Sequence, residues 1–298
     1  MRPSDISRRS VVSRDGTTIG YLRQGVGPAV VLVQGAMADV HAYRSLASEL
    51  AASFTVISAE RRGRGLSPRG YTPDHDIARD VEDLDAIMAA TGATTLFGLS
   101  SGGVIVLEAA RTLPRVERIA IFEPPFYENG IDRARLEQLF ADIDHRRSGA
   151  ALIGALLTAG TAPGAIAHLP RRLARVLGLA VLTSQAWAPG PASSLRQLLP
   201  GVRYDFHDVA QVEHRIDQYG TVTQPTLLLS GTKSPRFLRD AVARLGRILP
   251  DAKRVELAGL GHDGPWNTGA PRSVATELTS FFSPTRTIDD SPTPYRRQ

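Results

Sequence analysis

One serine has the glycine spacing that is typical of a catalytic nucleophile. Residues 98–102 read Gly-Leu-Ser-Ser-Gly, a G-x-S-x-G pattern, between an apolar run at 94–97 and a helix-like run at 104–113. A strand that enters a helix through so tight a turn leaves little room for a Cβ atom at either glycine and predicts a strained backbone at Ser100. That strain would lift the hydroxyl above the sheet. A Gly/Ser-rich loop without chemistry has the same letters, so the surrounding elements must decide.

The serine needs a base, because a free hydroxyl is a poor nucleophile at neutral pH. His262 is the candidate, since it lies in the Gly-rich loop 258–264 directly after the predicted strand 253–257. The other six histidines lack such a position, and we expect them at the surface or in the inserted helices described below. They are His41, His75, His145, His168, His207 and His214.

Composition excludes several other kinds of chemistry. The 298 residues are 42% hydrophobic and 22% charged, which suits one large α/β unit. The chain has no cysteine, so disulfides, thiolate metal sites and cysteine nucleophiles are excluded. The histidines show no metal-ligand spacing such as H-x-x-x-H. We therefore expect no structural zinc, and the function predicted below needs neither a metal nor a cofactor.

Charge and hydropathy argue against a nucleic acid or a membrane as the partner. All but two of the 35 basic residues are arginines, and they are scattered, without the interleaved aromatics of a nucleic-acid-binding surface. No apolar stretch approaches the ~20 residues that span a bilayer, and the first ten residues lack the apolar core of a secretory signal. We expect no nucleic acid partner, no membrane partner and a cytoplasmic location. The sequence leaves the oligomeric state open.

Strands alternate with helices along most of the chain. A hairpin around residues 15–16 precedes short, β-branched, apolar runs that are typical of strands buried on both faces. These predicted strands are 29–33, 54–59, 94–97, 119–122, 226–230 and 253–257. The alternation predicts an α/β fold with a mostly parallel, doubly wound sheet, in which ligands bind beyond the carboxyl ends of the strands.

One long segment interrupts this alternation. Residues 127–216 contain no buried-strand pattern and are predicted to form several helices broken by glycine and proline, as an inserted helical cap. Residues 1–126 and 217–283 would then form the core. Residues 284–298 are rich in Pro, Ser, Thr and Asp, which predicts a disordered tail.

Taken in chain order, these features resemble the α/β-hydrolase superfamily with a cap. The resemblance rests on a Gly-Ala turn after the first core strand, a Glu-Arg-Arg-Gly-Arg-Gly loop at 60–65, the serine turn, the helical insertion and the Gly-Leu-Gly-His at 259–262. It covers roughly residues 15–282. The chain is most similar in character to small-molecule esterases, lactonases and related hydrolases of bacterial secondary metabolism.

The resemblance implies roles for four residues. Ser100 would be the nucleophile and His262 the general acid and base. The backbone N–H groups of Ala36 and Ser101 would form the oxyanion hole. Gln34 stands where the family usually has a histidine in this turn, which puts the usual packing of the turn in doubt.

The resemblance also implies a catalytic acid that orients His262, but the position where the superfamily most often carries this acid has none in this chain. That position, after the predicted strand 226–230, reads Gly-Thr-Lys-Ser-Pro and holds no carboxylate. Part of the superfamily carries the acid after the strand that follows the serine helix, where this chain has Glu123. A carboxylate there would orient the imidazole of His262. The alternative is that Glu123 caps a helix or forms a hinge before two prolines.

The predicted function is a serine hydrolase that cleaves an ester or lactone of a small, largely apolar molecule through an acyl-enzyme. Gln34, Met37, Phe126 and Trp187 are the predicted pocket residues. Two alternatives stay open. One is a cofactor-free lyase, cyclase or oxygenase that uses His262 as a base, and the other is a catalytically silent ligand-binding protein.

Overall fold

A single eight-stranded sheet forms the centre of the molecule. The computed structural model describes residues 5–185 and 192–283. The strands are β1 (Ser7–Val12), β2 (Thr18–Gln24), β3 (Ala29–Val33), β4 (Thr55–Ala59), β5 (Thr95–Leu99), β6 (Arg118–Phe122), β7 (Thr226–Gly231) and β8 (Ala252–Leu257). Their order in the sheet is β1-β2-β4-β3-β5-β6-β7-β8. The pairs that involve β1 and β2 are antiparallel, and all pairs among β3 to β8 are parallel. This confirms the predicted mostly parallel α/β sheet.

Helices follow most of the parallel strands and fill the segment between β6 and β7. They are α1 (Arg44–Leu50), α2 (Ile77–Thr91), α3 (Ser101–Thr112), α4 (Arg133–Asp144), α5 (Ser148–Thr158), α6 (Gly164–Ala167), α7 (Arg171–Gln185), α8 (Leu195–Leu198), α9 (Val202–Val212), α10 (Arg236–Ile248) and α11 (Pro271–Phe282). None of the helices that the structure describes has both the length and the apolar character that a bilayer crossing requires.

The sheet is buried on both faces because helices cover each of them, and successive side chains of a strand point to opposite faces. In β3, Val31 and Val33 join the apolar layer that contains α2, α3 and α10, whereas Val30 and Leu32 join the layer that contains α1 and α11. All four side chains are buried. An apolar run with no polar alternation is therefore what this position in the fold requires.

The parallel register brings the candidate residues to one edge of the sheet. Val33 of β3 pairs with Gly98 of β5, and Leu99 pairs with Phe122 at the end of β6. The neighbouring β7 ends at Gly231. The residues that follow these strands therefore lie side by side at the carboxyl edge, as expected for a ligand site in such a sheet.

The described residues between β6 and β7 contain helices and no strand. Part of this segment forms its own apolar cluster, which includes Leu139 of α4, Leu152 of α5 and Phe206 of α9. On α9, however, Val209 and Val212 belong to the core cluster around α3. The boundaries of the cap stay a prediction. The predicted disordered tail 284–298 lies outside the described residues.

Candidate active site

The serine turn has the strained backbone that its G-x-S-x-G sequence predicts. Ser100 follows β5, has φ 54° and ψ −125°, and is followed directly by α3. L-residues seldom adopt a positive φ, so surrounding contacts must hold it. One such contact is the hydrogen bond that the Ser100 N–H donates to the carbonyl of Phe122, at 2.9 Å. The hydroxyl-bearing residue is thereby fixed at the edge of the sheet.

The two glycines of the pattern are required by close backbone contacts. A Cβ at Gly98 would collide with the carbonyl of Gly102, and a Cβ at Gly102 would collide with the carbonyls of Val33 and Gln34. Backbone atoms cannot move aside as a flexible side chain can. The predicted lack of room at both glycines is therefore confirmed.

A carboxylate and an imidazole meet beside this turn. Oε2 of Glu123 lies 2.7 Å from Nδ1 of His262. The other carboxylate oxygen, Oε1, accepts a hydrogen bond of 2.7 Å from the N–H of Gly231. Glu123 is fully buried and has a φ of 48°, so it is held in a strained conformation directly after β6. With one oxygen fixed by backbone, the other is aimed at the imidazole.

The turn after β3 approaches the serine from the other side. A Cβ at Gly35 would lie 3.0 Å from the Cβ of Ser100, so this turn packs closely on the serine. Met37 has a φ of 56°, and it is the third strained residue at this edge after Ser100 and Glu123. Ala36 and Ser101 both line the cavity described next. Because Ser101 is the first residue of α3, its N–H has no partner within the helix.

A cavity of about 100 Å³ opens above Ser100 and His262. Its roof comes from the segment between β6 and β7, through Tyr127, Leu156 and Phe206. Met37, a predicted pocket residue, lines it as well. No arginine or lysine is among the described residues that line it. The cavity therefore suits a small and largely apolar group.

Two predicted pocket residues point elsewhere, and a third cannot be placed. Gln34 is fully buried beneath the turn, where its Nε2 donates to Oε1 of Glu60 at 3.5 Å. The prediction that Gln34 lines the pocket is wrong, because its amide faces a buried carboxylate. The prediction that Phe126 lines the pocket is also wrong, because its ring packs against Tyr219 at a centroid distance of 5.6 Å, away from this cavity. Trp187 lies outside the described residues.

The cavity is also lined by two residues that the sequence analysis does not identify as pocket residues. Trp266 follows the His262 loop, and Asp205 lies on α9. Trp266 stands four residues after His262, so its closeness to the histidine was a usable signal. Asp205 gave none, because an aspartate within a helix is ordinarily a solvated residue.

The arginine-rich loop after β4 lies below the serine turn, and its arginines are buried. Each is paired with at least one carboxylate, so buried ion pairs hold the loop in place. The pairs are Arg61 with Asp205 and Asp208, Arg62 with Asp83 and Asp15, and Arg64 with Asp205. A buried guanidinium without such partners would be costly, since burial removes its hydration.

His75 joins this cluster, although we expected it at the surface. Its Nε2 lies 2.9 Å from Oδ1 of Asp208 and 3.0 Å from Oδ2 of Asp80. Burial disfavours the charged imidazole, but the hydrogen bonds to the two carboxylates outweigh it and raise the pKa of His75 to about 9. The expectation is wrong because Asp80 and Asp208 supply the hydrogen bonds and the negative charge that replace the hydration of a buried imidazole.

His75, Asp80 and Asp208 also have the donor set of a metal site, with ligand atoms within 4.8 Å of one another. Arg61, however, forms salt bridges to both carboxylates, at 3.6 Å to Asp80 and 2.8 Å to Asp208. A metal ion would face that fixed positive charge at short range. The group is therefore better suited to its protein cations than to a metal.

Comparison with known proteins agrees with this architecture. A model described as alpha/beta hydrolase family matches residues 30–277. The 2-(acetamidomethylene)succinate hydrolase of Mesorhizobium japonicum is 28% identical over 93% of this chain and 95% of its own length. The N-formylmaleamate deformylase of Pseudomonas putida is 28% identical over 91% of this chain and 92% of its own.

A solved structure extends the agreement to three dimensions. An alpha/beta hydrolase from Sphaerobacter thermophilus is 32% identical, covers 92% of this chain and 100% of its own, and superposes with a TM-score of 0.76. The family match runs from the second residue of β3 to beyond β8 and includes both strand ends that carry Ser100 and Glu123. The chain belongs to the alpha/beta hydrolase family.

Proposed function

We propose that this protein is a serine hydrolase that cleaves an ester or lactone of a small, uncharged and largely apolar molecule. The observation that carries the proposal is the pair formed by Glu123 and His262, with Oε2 2.7 Å from Nδ1, because His262 lines the same cavity as Ser100. Such a constellation turns a serine hydroxyl into a nucleophile. The similar proteins named as a hydrolase and a deformylase support the reaction class.

In the first half of the reaction, Oγ of Ser100 attacks the substrate carbonyl carbon while His262 takes its proton. Glu123 holds the imidazole by Nδ1 and stabilises the positive charge that forms on it. The carbonyl oxygen becomes an oxyanion, and the N–H groups of Ala36 and Ser101 are the proposed donors to it. The intermediate then collapses, and the leaving alcohol receives the proton from His262.

In the second half, water enters and attacks the acyl carbon of the Ser100 ester. His262 now removes a proton from the water, and the same donors hold the second oxyanion. Collapse breaks the bond to Ser100 Oγ, which regains its proton from His262, and the carboxylic acid leaves. The cycle uses these side chains, the two backbone N–H donors and water.

The cavity supports a short acyl group. Its volume of about 100 Å³ corresponds to roughly seven to ten water-sized groups, at about 10–15 Å³ each. The only charges that face it from described residues are Asp205, which is paired with Arg61 and Arg64, and His262 when protonated. A carboxylate-bearing substrate would find no described cationic partner there, so an uncharged one is favoured.

The proposal is tested by turnover of a matched panel. We expect hydrolysis of p-nitrophenyl acetate and butyrate, and of a small lactone such as γ-valerolactone, with little activity on p-nitrophenyl succinate. The Ser100→Ala variant should lose this activity, with melting temperature unchanged. Equal activity of the wild type and Ser100→Ala would contradict the proposal. Preference for the succinyl ester would contradict the substrate class alone.

A further inference from the structure

One guanidinium touches both backbone segments from which the proposed oxyanion donors come. Nη1 of Arg61 donates to Oγ of Ser101 at 2.9 Å and to the carbonyl oxygen of Gln34 at 3.4 Å. Ser101 supplies one proposed donor, and Gln34 stands two residues before Ala36, which supplies the other. Arg61 therefore lies where it can set the distance between the two donors.

A carboxylate from the segment between β6 and β7 completes this arrangement. Asp205 of α9 forms a salt bridge with Arg61 through Oδ1 and with Arg64 through Oδ2. Its Oδ1 also accepts a hydrogen bond of 3.0 Å from Oγ of Ser101. Asp205 is 1% exposed and lines the catalytic cavity. It is thus the described aspartate of α9 that reaches both the cavity and the residue after the nucleophile.

The pairing makes the position of Arg61 depend on α9. Burial disfavours the charged guanidinium, but Asp205, Asp80 and Asp208 outweigh it and raise the pKa of Arg61 above its ordinary value. Two of these three carboxylates, Asp205 and Asp208, belong to α9. In a buried site, the position of a charged side chain is set by the opposite charges that pair with it. Docking of α9 therefore decides where the guanidinium sits.

We propose that Asp205 is a positioning residue for the oxyanion hole, acting through Arg61 and the hydroxyl of Ser101. This inference rests on the proposed function. Donors stabilise an oxyanion only when they are held about 2.7–3.1 Å from its position. A displacement of about 1 Å can cost on the order of a hundredfold in rate. The coupling gives the ion pair between Asp205 and Arg61 a role at the residue that follows the nucleophile.

A neighbouring pair offers a matched control. Asp83 forms a buried, bidentate salt bridge with Arg62, the next residue of the same loop, with contacts of 2.6 Å to Nε and 2.7 Å to Nη2. Neither Asp83 nor Arg62 lines the catalytic cavity. Loss of either carboxylate charge disturbs a buried arginine of the same loop, but only Asp205 reaches Ser101.

The experiment compares Asp205→Asn with Asp83→Asn in the full chain. The substrate is p-nitrophenyl butyrate, and the probe is a trifluoromethyl ketone, which binds as a tetrahedral oxyanion adduct. For Asp205→Asn we expect kcat to fall 10- to 100-fold, KM to change less than threefold, and affinity for the ketone to fall by the factor lost in kcat/KM. Asp83→Asn should lower the melting temperature and leave kcat within threefold of the wild type.

A double variant tests whether Asp205 acts through the side chain of Ser101. If Asp205 acts through Ser101, Ser101→Ala should lower kcat and ketone affinity about tenfold, and adding Asp205→Asn should cost less than the two single losses combined. Equal losses of kcat in Asp205→Asn and Asp83→Asn, or unchanged ketone affinity in Asp205→Asn, would overturn the inference. Should Asp205→Asn fail to fold, unchanged ketone affinity in Ser101→Ala overturns it instead. Failure of a fluorophosphonate to label the wild type would overturn the proposed function itself.

Discussion

Glu123 and Gly231 are joined by a hydrogen bond of 2.7 Å from the glycine N–H to Oε1 of the glutamate. Gly231 stands at the end of β7, where the common family layout carries the triad acid. Here that strand end supplies a backbone donor instead, and the carboxylate that contacts His262, our proposed triad acid, follows the neighbouring β6. The donor fixes one oxygen of Glu123, which leaves the other for Nδ1 of His262.

The first prediction concerns the charge of Glu123. In Glu123→Gln the amide no longer stabilises the imidazolium and no longer selects one tautomer of His262. We expect kcat for p-nitrophenyl butyrate to fall roughly 10³- to 10⁴-fold. Glu108→Gln is the control, because Glu108 is also buried and bonded, to Tyr219 at 2.8 Å. Glu108→Gln should retain kcat, and unchanged turnover in Glu123→Gln would remove Glu123 from the triad.

The second prediction concerns the backbone at Gly231. A Cβ there would collide with the carbonyl of Leu260, two residues before His262. We expect Gly231→Ala to displace that loop, to lower the free energy of unfolding by about 1–3 kcal/mol and to lower kcat. Gly220→Ala is the matched control, since its nearest contact for a Cβ is an ordinary 3.7 Å. Thermal melts and turnover check both; a fully active Gly231→Ala would be evidence against this geometry.

The third prediction concerns the size of the acyl group. Ala155 on α5 is buried and lines the catalytic cavity. Ala155→Leu should fill part of it and lower kcat/KM for butyrate relative to acetate by roughly tenfold or more, because a cavity wall discriminates by added methylenes. Ala150→Leu is the control on the same helix, since Ala150 lines a separate cavity of about 440 Å³. An equal change of the ratio in both variants would show that the wall is not formed by Ala155.

The fourth prediction concerns pH and stability. Its carboxylate partners raise the pKa of His75 to about 9, above the ordinary value of 6.5. The folded state therefore binds the proton more tightly than the unfolded state does. The stabilisation is fully present below about pH 6.5 and is lost as the pH rises through about 9.

Urea midpoints measured between pH 6 and pH 10 check this expectation. The urea midpoint of the wild type should fall across that range. The midpoint of His75→Gln should be lower at pH 6 and should change less with pH. His207→Gln is a control, because burial lowers the pKa of this neighbouring histidine. A wild-type slope that His75→Gln reproduces would assign the pH dependence to other groups.

The sequence predicted those features that depend on local patterns. Buried parallel strands need unbroken apolar runs, and a strained turn needs glycines, so the sheet and the turn at Ser100 could be inferred from single segments. The position of Glu123 after β6 was likewise a matter of order along the chain. The structure then places that carboxylate against His262, 139 residues further on.

Other features depend on contacts between distant segments and left no local signal. Gln34 could face the cavity or the interior from the same turn, and only the buried Glu60 below it decides for the interior. The aromatic ring of Phe126 could point either way after two prolines, and Tyr219 supplies its partner. Asp205 gains its contacts with Arg61 and Ser101 only because α9 packs against α3, which begins at Ser101.

The central claim is that Ser100 is the nucleophile, and fluorophosphonate labelling followed by intact-mass and peptide analysis tests it most directly. We expect one covalent adduct, located on Ser100, that is lost in Ser100→Ala and in His262→Ala. Because Ser101 is adjacent, Ser101→Ala serves as the control and should still be labelled, though more slowly. A folded wild-type protein that takes up no label, or an adduct that persists in Ser100→Ala, would show that Ser100 is not the nucleophile.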